Sequence, residues 1–301
     1  MSFALLTQRI TGNSSSTFNF GQTISAFVYG IQQFNITNGT IHSTLQNFGI
    51  NYTVSFGTGV GHETVTLVQQ LASGLDTQQS FADVTVLAYL GGADPPGIFM
   101  GNQPVVMGQT GLQPIVPDNS PYLSCGVLGG FNLSFASDSS NLLGIGAGAG
   151  TTCCPGSYDG GISPVAPVGV GALLGDSPFS GSVNAGYIIM GPNQQGIYFA
   201  SAQCGPSVNP LNFFLGANLS SAAVLIQSFY AQFNIDTNPS PVLTSLTAGA
   251  AFAQIEGQTN VLTLVGLSYS GENFAGEGKG SKWVQSSVVN LVASVLVVGI
   301  T

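Results

Sequence analysis

Phe48-Gly49-Ile50-Asn51-Tyr52-Thr53-Val54-Ser55-Phe56 decides the fold class. Every even-numbered residue in it is large and apolar, and every odd-numbered residue is small or polar. Successive side chains of a strand point to opposite faces, so this period of two marks a strand with one face buried, as in an antiparallel sheet. The same alternation runs through Ile24-Ala26-Val28, Val84-Val86-Ala88-Leu90 and Leu246-Ala248-Ala250-Phe252. Glycine-rich breakers at 57–61, 91–97 and 276–280 separate the runs and supply turns with positive φ. Only Gln69 to Ala72 and Ala222 to Tyr230 read as short helices, because Gly and β-branched residues crowd the longer windows. The expectation is an all-β chain of tandem antiparallel β-sandwich or jelly-roll-like units.

Working outward, the two ends of the chain resemble each other. Gln33-Phe34-Asn35-Ile36 recurs as Gln232-Phe233-Asn234-Ile235, Thr66-Leu67-Val68 as Thr263-Leu264-Val265, and Ser73-Gly74 as Ser270-Gly271. Each copy carries a long alternating strand and closes on an apolar one, Ala82 to Leu90 or Val288 to Val298. This internal repeat suggests a first β-sandwich unit at 1–92 and a second at 218–301. Between them, 93–217 is a Gly/Pro/Cys-rich β insertion or middle domain, with strands expected at Cys125 to Phe135, Ala185 to Met190 and Gly196 to Ala200. The apolar run Val288 to Ile300 is shorter than the roughly 18 residues a membrane helix needs, and reads as a buried strand. Were it an edge strand, it would be placed to pair with a neighbouring subunit.

The 301 residues include 3 Lys+Arg and 12 Asp+Glu, so 5% are charged, where a soluble domain carries about 25%. With a net charge of −9 and no basic cluster, the electrostatic term that holds proteins on nucleic acid is missing. A hydrophobic content of 44% argues against disorder. The start Met1-Ser2-Phe3-Ala4-Leu5-Leu6 lacks a basic region and a long apolar core, so a secretory leader is not read there.

Cys125, Cys153, Cys154 and Cys204 fall among Gly, Pro and Ser and suit two disulfides, Cys153 and Cys154 pairing outward to Cys125 and Cys204. Sequons at Asn13, Asn35, Asn38, Asn51, Asn132 and Asn218 are candidate glycosylation acceptors. Low charge, sequons and cysteines together point to an extracellular or virion-surface setting.

Motifs for chemistry are thin, and no cofactor or metal is expected. Gly144, Gly146 and Ala149 satisfy G-x-G-x-x-A, but Thr151-Thr152-Cys153-Cys154-Pro155 follows where a phosphate-binding helix would begin. Lys279 and Lys282 read as a solvated hairpin loop. His42 and His62 are the two candidate bases, without a G-x-S-x-G elbow to serve. Asp94, Asp118, Asp138 and Asp159 stand singly, so no calcium loop is expected. A non-enzymatic subunit that assembles with copies of itself into a filament, sheath or virion shell is the leading expectation. The alternative is a carbohydrate-binding or adhesive module, with Trp283, Tyr269 and Phe274 as its stacking platform; a secreted hydrolase comes third.

Overall fold

The computed structural model describes residues 2–39, 46–57, 62–91, 97–106, 121–135, 142–149, 154–157, 169–174, 179–191, 195–205, 209–233, 242–275, 282–285 and 288–301. Among them every regular element is a β-strand, and every ladder is antiparallel. The strands at Asn47–Phe56, Ile24–Thr37 and Phe81–Leu90 fall where the alternation places them. The two windows read as helices are strands as well, Thr64–Leu71 and Ser221–Phe233. Residues 222–227 are buried or half-buried without a break, and such a run has no period by which to tell strand from helix.

One pairing scheme occurs three times. In residues 1–91, β1 (Ser2–Thr11) and β3 (Ile24–Thr37) flank β6 (Phe81–Leu90), with Leu90 facing both Ser2 and Ile24. In residues 97–191, β7 (Ile98–Val106) and β8 (Pro121–Phe135) flank β12 (Phe179–Met190), with Met190 facing both Ile98 and Leu123. In residues 196–301, β13 (Ile197–Cys204) and β15 (Ser221–Phe233) flank β21 (Val288–Ile300), with Ile300 facing both Ile197 and Ser221. Each trio encloses a hairpin in sequence: β4 (Asn47–Phe56) with β5 (Thr64–Leu71), β9 (Leu142–Gly148) with β11 (Gly169–Leu174), and β16 (Val242–Ala250) with β19 (Val265–Ala275).

No hairpin stays with its own trio. β4 pairs with β8, β9 with β15, and β16 with β3, so each of the three principal sheets joins strands from two segments. These ladders run across the boundaries expected between 1–92, 93–217 and 218–301. β21 is likewise no edge strand. Over Ala293–Ile300 it lies between β13 and β15 and is buried, so both of its ladders are occupied there.

The central strands β3, β8 and β15 pack against one another. Each carries an extra residue mid-strand against its trio partner: Gln32 in β3, which has a second one at Ser25, Gly129 in β8 and Gln227 in β15. A bulge sharpens the local twist and re-aims the residues after it. Two positions beyond each mid-strand bulge stands a buried phenylalanine, Phe34, Phe131 and Phe229. Their ring centroids are 5.4 Å (34–131), 5.1 Å (34–229) and 5.0 Å (131–229) apart. At the next level a Cβ on Gly30 would sit 3.2 Å from the Val127 Cβ and 3.4 Å from the Leu225 Cδ1, so the three strands meet there too. A second apolar cluster continues the axis with Phe3, Leu87, Met100, Ile188, Leu296 and Ile300, again drawn from all three segments.

Truncating Phe131 to Ala removes three ring contacts, to Phe34, Phe48 and Phe229, and leaves a cavity on this axis. The expected loss is about 3–5 kcal/mol by chemical denaturation. Val68→Ala, at a partly exposed position of β5, is expected to cost less than about 1 kcal/mol.

Candidate functional site

The seams between the three segments are closed by amide side chains that bond backbone groups of another segment. Asn102 on β7 receives the Tyr29 N–H on its Oδ1 at 2.9 Å and donates Nδ2 to the Tyr29 carbonyl at 2.7 Å. Gln227 on β15 donates to the Gly126 carbonyl on β8 at 3.0 Å, and Gln32 on β3 to the Ala250 carbonyl on β16 at 3.3 Å. The first segment thus reaches the third, the second reaches the first, and the third reaches the second. In β8 the bulge residue is Gly129, where a Cβ would lie 2.5 Å from Asn102 Nδ2; the missing side chain makes room for the clamp.

Beside the Asn102 clamp lies a cleft of about 350 Å³ between β3, β4 and β7. Phe27 and Phe56 form its aromatic wall, stacked at 5.4 Å and 26°. His62 continues the stack on Phe56 at 4.9 Å and 10°, held by its Nδ1 contact to the Gly57 carbonyl at 2.5 Å and by a backbone at φ 44°. Val54, Ala26, Met100 and Ser25 complete the lining, and none of the cleft's side chains is ionised. Such a slot offers stacking and dispersion contacts to a neutral ligand.

Behind the cleft, Tyr29 is buried with its hydroxyl accepting from Asn184 Nδ2 at 2.6 Å, and its ring meets Tyr52 edge-on at 5.8 Å. Tyr52 donates to Gln69 Oε1 at 3.0 Å, and Gln69 donates to the carbonyls of Ile10 and Gly12. Burial pushes both phenols well above the usual tyrosine range, so they stay neutral hydrogen-bonding groups.

The residues singled out by sequence fare unevenly. Gly144, Gly146 and Gly148 lie within β9, not in a phosphate loop. Cβ atoms there would strike Tyr230 Oη at 2.9 Å, the Phe229 carbonyl at 2.8 Å and Ser228 Cβ at 2.7 Å, so bare backbone is what lets β9 lie against β15. Cys204 is a free, half-buried thiol, which corrects its assignment to a disulfide. It ends β13 in the five-stranded sheet, whereas Cys125 sits in the seven-stranded one. Cys125 is disulfide-bonded, to a sulfur outside the described residues, as are the side chains of Cys153 and Cys154.

Of the sequons, Asn13 and Asn218 are exposed, whereas Asn35, Asn38, Asn51 and Asn132 are half-buried on or beside strands. The Asn35 amide is occupied by Gln79, Thr37 and Thr247. Tyr269 and Phe274 both lie on the strand Val265–Ala275, the side chain of Phe274 outside the described ones. Phe274 faces Trp283 across the ladder. His42, Asp94, Asp118, Asp138, Asp159 and Lys279 lie outside the described residues, and Lys282 falls on the strand Lys282–Gln285. No three metal-ligating side chains come together among the described residues, and no helix there could cross a membrane.

No family model matches the sequence, and no curated protein matches it. Among solved structures, the turret protein A223 of Sulfolobus turreted icosahedral virus aligns at 10% identity, over 62% of this chain and 99% of that one, with a TM-score of 0.13. A score that low defines no common arrangement of strands.

Stability is expected to hold up to about pH 10 and then to fall. The folded state keeps Tyr29 and Tyr52 protonated while the unfolded chain releases both protons, so each costs up to about 1.4 kcal/mol per pH unit above its unfolded value. Denaturation midpoints of wild type and Tyr52→Phe between pH 8 and 11 check this; the variant's decline is expected to be shallower.

Proposed function

We propose that the protein is a non-enzymatic structural subunit that assembles with copies of itself into an extracellular filament, sheath or virion shell. One quantity carries the reading. Fifteen charged side chains share a surface of 13334 Å², about one per 900 Å². A standard interface covers about 800 Å² of each partner, so a patch of that size carries on average about one charge. The desolvation of charges that opposes burial of ordinary surfaces is therefore small here. Phe214, at 74% exposure on the strand Leu211–Phe214, and Val106, at 50%, add apolar anchors. In this reading the three pairing schemes are copies of one β-unit.

A second reading, a carbohydrate-binding or adhesive module, draws its support from the neutral cleft with stacked Phe27 and Phe56. It expects selective binding on a glycan array that Phe56→Ala abolishes.

Purified chain at rising concentration, followed by size-exclusion chromatography and negative-stain microscopy, is expected to form regular assemblies. Phe214→Ser is expected to raise the concentration needed by about tenfold if this anchor lies in a contact. A discrete monomer at high concentration argues against the proposal.

A further inference from the structure

Resting on the self-assembly reading, we propose that copies of this chain join by exchanging the β16–β19 hairpin, which seats itself on the β3 strand of a second copy instead of on its own. The ring of borrowed hairpins is the ground for this. The first segment lends β4–β5 forward to β8 of the second, and the second lends β9–β11 forward to β15 of the third. The hairpin of the third turns back to β3 of the first. Passing it forward instead, to the first segment of another molecule, continues the same rule. The seat is chemically identical in either case, so every contact is kept, and closed and linked forms differ in chain entropy and concentration.

On β3 the closing contact is short, five residue pairs from Ser245 opposite Thr37 to Gly249 opposite Gln33, with Leu246 and Ala248 the apolar members on β16. The strand Asn260–Thr263, between β16 and β19, pairs with Leu211–Phe214, and that ladder passes to the second copy together with the hairpin. The Asn38 N–H donates to the Thr244 carbonyl at 2.8 Å, Thr247 Oγ1 to Asn35 Oδ1 at 2.8 Å, and Gln32 to Ala250. At its end Gly249 has φ 124°, and a Cβ there would lie 2.2 Å from the Gln32 carbonyl oxygen, so the fit between the two strands is specific. A donated hairpin laid on an identical seat is a head-to-tail contact, which propagates into open chains or closes into rings.

Thr37 and Ser245 stand opposite each other, next to the hydrogen-bonded Asn38 and Thr244 pair. They therefore form the closely spaced kind of antiparallel pair, and both are half-buried. In a Cys204→Ser background, chains carrying Thr37→Cys are mixed with chains carrying Ser245→Cys, allowed to assemble and then oxidised. The expected product is a covalent heterodimer, enriched about tenfold over the same mixture oxidised as dilute monomer. The double variant oxidised as a monomer is expected to lose assembly and to regain it on mild reduction, with the Cys204→Ser chain under the same reductant as control. Assemblies that form without heterodimer, together with undiminished assembly of the locked double variant, overturn the exchange and leave self-assembly standing. A wild-type chain that never assembles overturns both.

Discussion

Three phenylalanine rings within 5.0–5.4 Å of one another hold this molecule in its arrangement. Phe34, Phe131 and Phe229 come from strands about a hundred residues apart in sequence, and each reaches the axis because a bulge two residues earlier turns its strand inward. Three sheets that met without this crowding would need another way to fill the centre, since a cavity among packed sheets loses contacts on every side. The bulges have a second effect. Each frees an extra residue, and in β3 and β15 its amide bonds a carbonyl of another segment, while in β8 the space goes to Asn102. Packing on the axis and polar closure of the seams thus come from the same local irregularity.

Glycine does related work further out. β9 runs beneath Phe229 and Tyr230 because Gly144, Gly146 and Gly148 present only backbone to them. Gly186 lies deeper still, where a Cβ would meet Val127 Cγ2 at 2.4 Å and Val28 Cγ2 at 2.9 Å, side chains from two different central strands. In a chain with 42 glycines, these are positions at which close approach requires one.

The strands themselves were legible, because period-two alternation in Phe48 to Phe56 and in Val84 to Leu90 reports a local property. Their partners were not, since nothing in an alternating run says which sheet will receive it. The repeat shows this limit well. Gln33-Phe34-Asn35-Ile36 and Gln232-Phe233-Asn234-Ile235 look like equivalents, yet it is Phe229, four residues before Phe233, that stands two positions past a bulge as Phe34 does. The match that follows the fold is Phe34-Asn35-Ile36-Thr37 with Phe131-Asn132-Leu133-Ser134, in a middle segment whose composition disguised it. A further signal lay in Leu90-Gly91 before Gly97-Ile98-Phe99, repeated as Met190-Gly191 before Gly196-Ile197-Tyr198, which marks where one trio hands over to the next. The cleft left less trace. Ser25, Phe27, Phe56 and Asn102 converge only through pairing across segments, and their spacing in sequence carries no common period.

Gly196 sits where the ends of the chain come together, within 4.0 Å of the Phe3 ring and 3.7 Å of the Thr301 hydroxyl, measured from where its Cβ would be. The handovers at 91–97 and 191–196 lie at the corresponding ends of their trios. A body arranged this way has no structural first member. Bridging the strand of Phe3 to Thr301 and opening the chain at either handover would leave every ladder among the described residues intact, so the reading order of the three trios belongs to the covalent thread and not to the folded solid.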